Sequence, residues 1–178
     1  MPNKKHYIIT SLTLGIIAAS SAVLIGVTNL VTHNQIKKNE ENKINAGISE
    51  IFGKNASILT KSEIKGYEYT NYSYEVKSDD DSLKLALRTT GSNMYGKISL
   101  IVGFKAKDSS EEYNFVGLYI VTNEQTYAST LVENYIEPLN EDKRDLDDIS
   151  CGATYGARLV RDMVNEAKEA ANKEFRKG

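Results

Sequence analysis

The chain has 178 residues, with 22 Lys and Arg against 24 Asp and Glu, for a net charge of −2. That length suits one folded domain, and 40% hydrophobic with 26% charged residues excludes a disordered chain. The near-neutral balance gives no field favouring nucleic acid, and a single cysteine, Cys151, excludes a disulfide framework or a cysteine-rich metal or iron–sulfur site within the chain.

The charge is segregated. No Lys, Arg, Asp or Glu occurs between Lys5 and Lys37. The apolar run from Tyr7 to about Val31, roughly 25 residues at about 1.5 Å each, is long enough to cross a bilayer core with some tilt. Thr10, Ser11, Thr13, Ser20, Ser21, Thr28 and Asn29 interrupt it. Hydroxyl side chains can bond back to helix carbonyls, so they do not forbid a span. Lys4, Lys5 and His6 precede the run and favour a cytoplasmic N-terminus. Lys37 and Lys38 follow it, although acids begin at Glu40. A cleaved signal peptide ending near Ser20-Ser21-Ala22 is the rival reading, and the continuation to Val31 weighs against it. No cysteine stands near enough for a lipoprotein anchor. Residues 1–32 are therefore read as a cytoplasmic N-terminus and transmembrane anchor in the lipid bilayer. Residues 33–178 are read as an extracytoplasmic domain holding all 24 acids and 20 of the 22 basic residues, a formal charge of −4.

Ile36 to Phe52 reads as a stalk helix, with Ile44, Ile48, Ile51 and Phe52 on one stripe and Gly53 as the stop. Lys65 to Lys77 alternates and is rich in tyrosine, which predicts one or two strands. Its tyrosines are read as amphipathic strand residues in preference to a binding surface. Asp79-Asp80-Asp81-Ser82 reads as a solvated turn, because calcium-loop spacing is absent. Leu83, Leu85 and Leu87 alternate in a strand, and Gly91-Ser92-Asn93 is expected to turn the chain. Ile98, Leu100, Val102 and Phe104 alternate again, with Ile101 adding apolar weight to the other face. Lys107 to Ser110 is a hairpin-like loop and Phe115 to Thr122 a further strand. Thr126 to Ile136 carries Tyr127, Leu131 and Tyr135 at helical spacing, with Pro138 expected to close it. Glu141 to Asp148 is a charged loop. Tyr155 to Phe175 is a long helix with Leu159, Met163, Ala167, Ala170 and Ala171 on its buried stripe. The class is α+β, an antiparallel sheet packed with helices.

One junction carries chemistry: Asp148-Ile149-Ser150-Cys151-Gly152-Ala153-Thr154, directly before the last helix. The first N–H groups of that helix lack intrahelical acceptors and can meet an anion, aided by the helix dipole. Read from the residues alone, the Thr154 hydroxyl is a candidate N-cap. Cys151 is either a small buried residue or a thiol activated by the helix terminus. The two histidines, His6 and His33, flank the apolar run, so no histidine-based triad is available in the folded domain.

The junction resembles the flavinylation motif of the FMN-binding domain family. That family includes the G subunit of Rnf-type electron-transport complexes and the C subunit of the sodium-pumping NADH:quinone oxidoreductase. Its pattern is Asp, two residues, a small residue, then Gly-Ala-Thr or Gly-Ala-Ser. Cys151 stands where many members have serine. The resemblance implies that an ApbE-type flavin transferase esterifies Thr154 to the phosphate of FMN, using FAD as donor. It also implies that Ser150, Cys151, Gly152 and Ala153 belong to the cofactor site, and that Asp148, with Gly152, Ala153 and Thr154, is recognised by the transferase. Tyr95-Gly96-Lys97-Ile98 is similar to a family stretch preceding a strand. Glu124-Gln125-Thr126 falls where members carry Glu-Thr-Pro-Gly, but the Pro-Gly turn is missing here. Glu124, Thr126 and Tyr155 are the candidate flavin-proximal residues, with Tyr127 a further candidate for stacking. The function implied is an electron carrier with other membrane subunits as partners, with no catalytic side chain and no metal of its own. Two alternatives stand beside it: a solitary flavinylated protein of extracellular electron transfer or a membrane reductase, and a membrane-anchored interaction module without flavin.

Overall fold

A computed structural model describes residues 4–78 and 82–176. The acidic turn expected at Asp79-Asp80-Asp81 lies outside the described residues. The first element is helix α1, Lys4–Phe52. The chain divides into two compact units, Met1–Asn42 and Lys43–Gly178, and each is described by itself.

In the first unit, Tyr7–Asn29 is long and apolar enough to cross a membrane. Its 23 residues span about 34 Å at about 1.5 Å per residue, against a hydrocarbon core of about 30 Å. Four of the interrupting hydroxyls are satisfied within the helix. Thr13 donates to the Ile9 carbonyl at 2.9 Å, Ser20 to Ile16 at 2.8 Å, Ser21 to Ile17 at 2.9 Å and Thr28 to Leu24 at 2.8 Å. Each costs little in a lipid environment because no donor is left unpaired.

The second unit is built on a five-stranded antiparallel meander in the order β1-β2-β3-β4-β5. The strands are β1 Ser57–Glu63, β2 Thr70–Lys77, β3 Leu83–Asn93, β4 Gly96–Ala106 and β5 Asn114–Asn123. The alternation read in β3, β4 and β5 sorts their side chains onto two apolar faces. One face carries Leu85, Leu87, Ile98, Leu100, Val102 and Phe104. It is covered by the long helix α4, Thr154–Glu174, through Leu159, Val160, Met163, Val164, Ala167, Ala170 and Ala171.

The other face carries Tyr74, Val76, Ala86, Ile101 and Val121 against Ile44 and Ile48 of α1. The end of α1 is thus docked on the sheet, where the sequence reading expected a stalk. Ile44 and Ile48 are 3% and 1% exposed, and their burial contributes roughly 3–6 kcal/mol as an upper value. Lys43 Nζ donates to the Val121 carbonyl at 3.0 Å and pins the same contact.

Three local expectations are corrected. Gly91-Ser92-Asn93 lies inside β3, and the turn is the two-residue Met94-Tyr95 that follows, with Asn93 paired to Gly96. Gly91 answers to packing: a Cβ there would stand 2.9 Å from both Leu159 Cδ1 and Met163 Sδ of α4. Pro138 does not close a helix at Ile136. The run begins as α2, Ala128–Leu131, widens into a π-helical turn, Val132–Ile136, and continues as α3, Glu137–Asn140. Pro138 sits in the first turn of α3, where its missing N–H is tolerated. Finally, Lys65–Tyr69 is a connection, and only Thr70–Lys77 of the tyrosine-rich stretch is strand. The connection is held by Glu166 of α4, whose carboxylate accepts the N–H groups of Glu68, Tyr69 and Thr70 at 2.7, 2.8 and 2.8 Å.

Candidate functional site

A pocket of about 350 Å³ opens at the N-terminal end of α4, within the size range of small-molecule sites. Three segments build it. The β3–β4 turn supplies Tyr95, the stretch after β5 supplies Gln125, Tyr127 and Leu131, and the motif supplies Gly152 to Gly156. Among the described residues, none of the side chains lining it is charged.

Residue geometry explains why these segments meet. Gly96 has φ +131°, and a Cβ there would overlap the Glu124 carbonyl oxygen and stand 2.8 Å from its carbon. Only glycine lets the turn approach so closely. Hydrogen bonds then lock the two segments: Glu124 N–H to the Lys97 carbonyl at 2.8 Å, Thr126 N–H to the Tyr95 carbonyl at 2.8 Å, and the buried Gln125 amide to the Gly96 carbonyl. Asn93 ties the turn to α4 by donating from Nδ2 to the Tyr155 carbonyl at 3.1 Å. Its Oδ1 accepts the Tyr95 N–H at 2.9 Å.

On the motif side, Gly152 adopts φ +82°, a left-handed turn that aims the chain into α4. Ala153 occupies the capping position with φ −121° and ψ 44°, and no side chain caps the helix. Thr154 is the first helical residue, so the N-cap reading of its hydroxyl is corrected. The Ala157 N–H reaches the Ala153 carbonyl at 3.0 Å. The N–H groups of Thr154, Tyr155 and Gly156 precede that first bond and have no intrahelical acceptor. Thr154, Tyr155 and Gly156 all line the pocket, and Thr154 is partly exposed.

Cys151 is a free, buried thiol whose carbonyl accepts Asn134 Nδ2 at 3.2 Å. Cys151 and Ser150, both expected at the cofactor site, lie outside this pocket's lining and border a separate cleft with Asn134 and Arg144. Asp148 and Ser150 are exposed on the approach to the motif. Asp148 Oδ1 accepts the Ser150 N–H at 3.3 Å, and Arg144 bridges the Asp148 and Ser150 carbonyls at 2.8 and 3.3 Å. The loop before them is anchored by Tyr135, whose buried phenol donates to the Leu146 carbonyl at 2.5 Å. Burial pushes that phenol's pKa well up.

The structure therefore brings Gly152, Ala153, Thr154 and Tyr155 together in one wall, and places Glu124 and Thr126 outside the lining. Both are exposed, and the Thr126 hydroxyl is turned to the Tyr95 carbonyl at 3.0 Å. Gln125, between them, is the residue that faces the pocket. Sequence reasoning missed Tyr95 as a site residue. Its ring lies 6.0 Å from Tyr127 and 5.3 Å from Tyr155, centroid to centroid. The signal available was the Tyr95-Gly96 pair, but nothing in the sequence joins that turn to a motif nearly sixty residues later.

Fold and site together define an α+β protein with, among the described residues, one long apolar N-terminal helix segment and a pocket without charged lining at a helix N-terminus. The model of the family described as the RnfG N-terminal region matches residues 1–51. Over those residues, less than a third of the chain, the protein is similar to the RnfG family. The matched residues cover α1 up to Ile51 and end before the sheet and the pocket. No curated protein matches the chain.

Proposed function

We propose that this chain is a membrane-anchored electron carrier of an Rnf-type complex, with FMN held by a phosphoester bond to Thr154. The observation that carries the reading is the position of Thr154: first residue of α4, in the wall of the pocket, with a hydroxyl not used as a cap. The RnfG N-terminal match supports a G-like subunit of such a complex.

The residues present fit the cofactor. An esterified Thr154 loses its hydroxyl proton, and the resulting phosphodiester keeps one negative charge. Beside it, the N–H groups of Thr154, Tyr155 and Gly156 and the positive end of the α4 dipole favour that charge. No acidic side chain among the described lining residues opposes it. Tyr95, Tyr127 and Tyr155 offer aromatic surface for a planar ring. When bound, FMN supplies one- and two-electron chemistry, so the chain needs only to hold and orient it. Gly152 and the buried Cys151 keep the loop close to the helix start. Asp148, exposed one side of the motif, is the residue offered to an ApbE-type transferase.

Tyr7–Asn29 is the proposed single-pass anchor. Lys4 and Lys5 on its N-terminal side favour a cytoplasmic N-terminus and an extracytoplasmic folded domain. Partners are then the transferase and the other membrane subunits of the complex.

The test is in-gel flavin fluorescence of the full chain made with an active flavin transferase. Wild type should give a fluorescent band after denaturation, and Thr154→Ala should not. A fluorescent Thr154→Ala band, or a dark wild type with the transferase shown to be active, would overturn the assignment.

A further inference from the structure

We propose that Tyr95, at the tip of the β3–β4 turn, is the residue that contacts the isoalloxazine ring, and that its phenol quenches the emission of the attached flavin. This rests on the flavin reading of the same pocket and goes beyond it by assigning a ring-contact residue outside the motif.

Three observations carry the assignment. First, Tyr95 is the shared member of the aromatic cluster: it pairs with Tyr127 and with Tyr155, at 6.0 and 5.3 Å between centroids. Those distances fall within the range of favourable ring contacts. Second, the cluster is open to solvent. Tyr127 is 54% and Tyr155 57% exposed, so the aromatic surface around the pocket is left for a ligand to cover. Third, the turn holding Tyr95 is fixed on both sides. The Tyr95 carbonyl accepts from Thr126 N–H and Oγ1 at 2.8 and 3.0 Å, the Tyr95 N–H goes to Asn93 Oδ1, and Asn93 bonds α4 beside Thr154. A two-residue hairpin turn with a bulky aromatic would otherwise be mobile. Fixing it against the helix that carries Thr154 presets the ring's position relative to the attachment oxygen.

The chemistry of the readout is self-contained. A photoexcited isoalloxazine accepts one electron from a phenol in contact with it, and the electron returns to the phenol. Both groups end unchanged and the light energy is lost as heat. Phenylalanine is too hard to oxidise to do this, yet it preserves the ring's packing and the backbone bonds of the turn.

The experiment uses the full chain in detergent, loaded by an active flavin transferase. Loading is read from the mass of the Thr154 peptide, and fluorescence yield and lifetime are measured on the folded protein. Tyr95→Phe should leave loading unchanged and raise yield and lifetime several-fold. Tyr95→Leu should do the same and also make the flavin more accessible to iodide. Tyr72→Phe, on β2 away from the pocket, should change nothing. Unchanged emission in loaded Tyr95→Phe and Tyr95→Leu overturns the Tyr95 assignment while leaving the Thr154 attachment standing. A rise produced by Tyr127→Phe or Tyr155→Phe but not by Tyr95→Phe also overturns it. An unloaded wild type overturns the flavin reading itself and this assignment with it.

Discussion

Replacing Gly96 by alanine should damage the site's framework more than any other single methyl addition around it. The residue holds φ +131°, and the added Cβ meets the backbone of Glu124 and approaches Gln125 Cα at 3.1 Å. Neither neighbour is a flexible side-chain end that can swing away. Backbone strain at such an angle costs about 1–3 kcal/mol. Moving the turn away also loosens the bonds from Gln125 to Gly96, Glu124 to Lys97 and Thr126 to Tyr95, each worth about 0.5–1.5 kcal/mol. The sum is roughly 2.5–7.5 kcal/mol, equivalent to a Tm lowered by about 8–30 °C for a unit of this size. Gly66 is the control. Its φ is +93°, but a Cβ there meets nothing within 4 Å, so Gly66→Ala bears strain alone, about 1 kcal/mol. Thermal melts of the full chain in detergent, followed by circular dichroism, separate the two. Equal melting of the two variants, or a Gly96→Ala Tm within about 3 °C of wild type, would refute the close-approach reasoning.

Other outcomes follow from the same geometry. Glu166→Ala strips three backbone N–H groups and the Thr70 hydroxyl of their acceptor and should cost about 2–4 kcal/mol in urea unfolding; a loss under about 0.5 kcal/mol would contradict that role. Tyr67 has a pKa pushed up to about 12, by burial first and then by its hydrogen bond to Glu174. A raised phenol pKa favours the protonated, folded form. The contribution to stability is therefore complete below about pH 10 and lost as pH rises through about 12; a Tyr67→Phe variant lacking this alkaline loss confirms the sign, and an unchanged profile denies it. Asp148→Ala should lower FMN loading on Thr154 while leaving the far-ultraviolet spectrum unchanged and the Tm within about 3 °C, because the bonds it loses, from Ser150 N–H and Arg144, lie at the exposed surface outside the pocket lining. Normal loading of that variant removes Asp148 from transferase recognition.

Much of the fold was legible because burial imposes periodicity. Leu85 and Leu87, then Ile98 to Phe104, alternate because one side of the sheet faces α4. Ile101 broke the alternation for a physical reason that the structure supplies: the opposite face is covered as well, by Ile44 and Ile48. Strand β1 left no such mark. It is an edge strand with six of its seven residues exposed, so neither face selects apolar residues. Gly91 and Pro138 misled for a related reason. Each was read as punctuation, whereas one makes room for Leu159 and Met163 and the other rides in the first turn after a π-helical widening. At the site, the contiguous residues Gly152 to Tyr155 were readable as a unit. Tyr95 and Gln125 were not, because only tertiary packing brings a hairpin tip and a loop to the start of α4.

A phosphoester between Thr154 and FMN would leave its mass on a single peptide. The chain would be purified from membranes of cells with an active flavin transferase, digested, and the peptide containing Thr154 sequenced by fragmentation. This peptide should gain the mass of one FMN less one water, with the addition localised to Thr154. A Thr154 peptide found entirely unmodified, or flavin localised to any other residue, would contradict it.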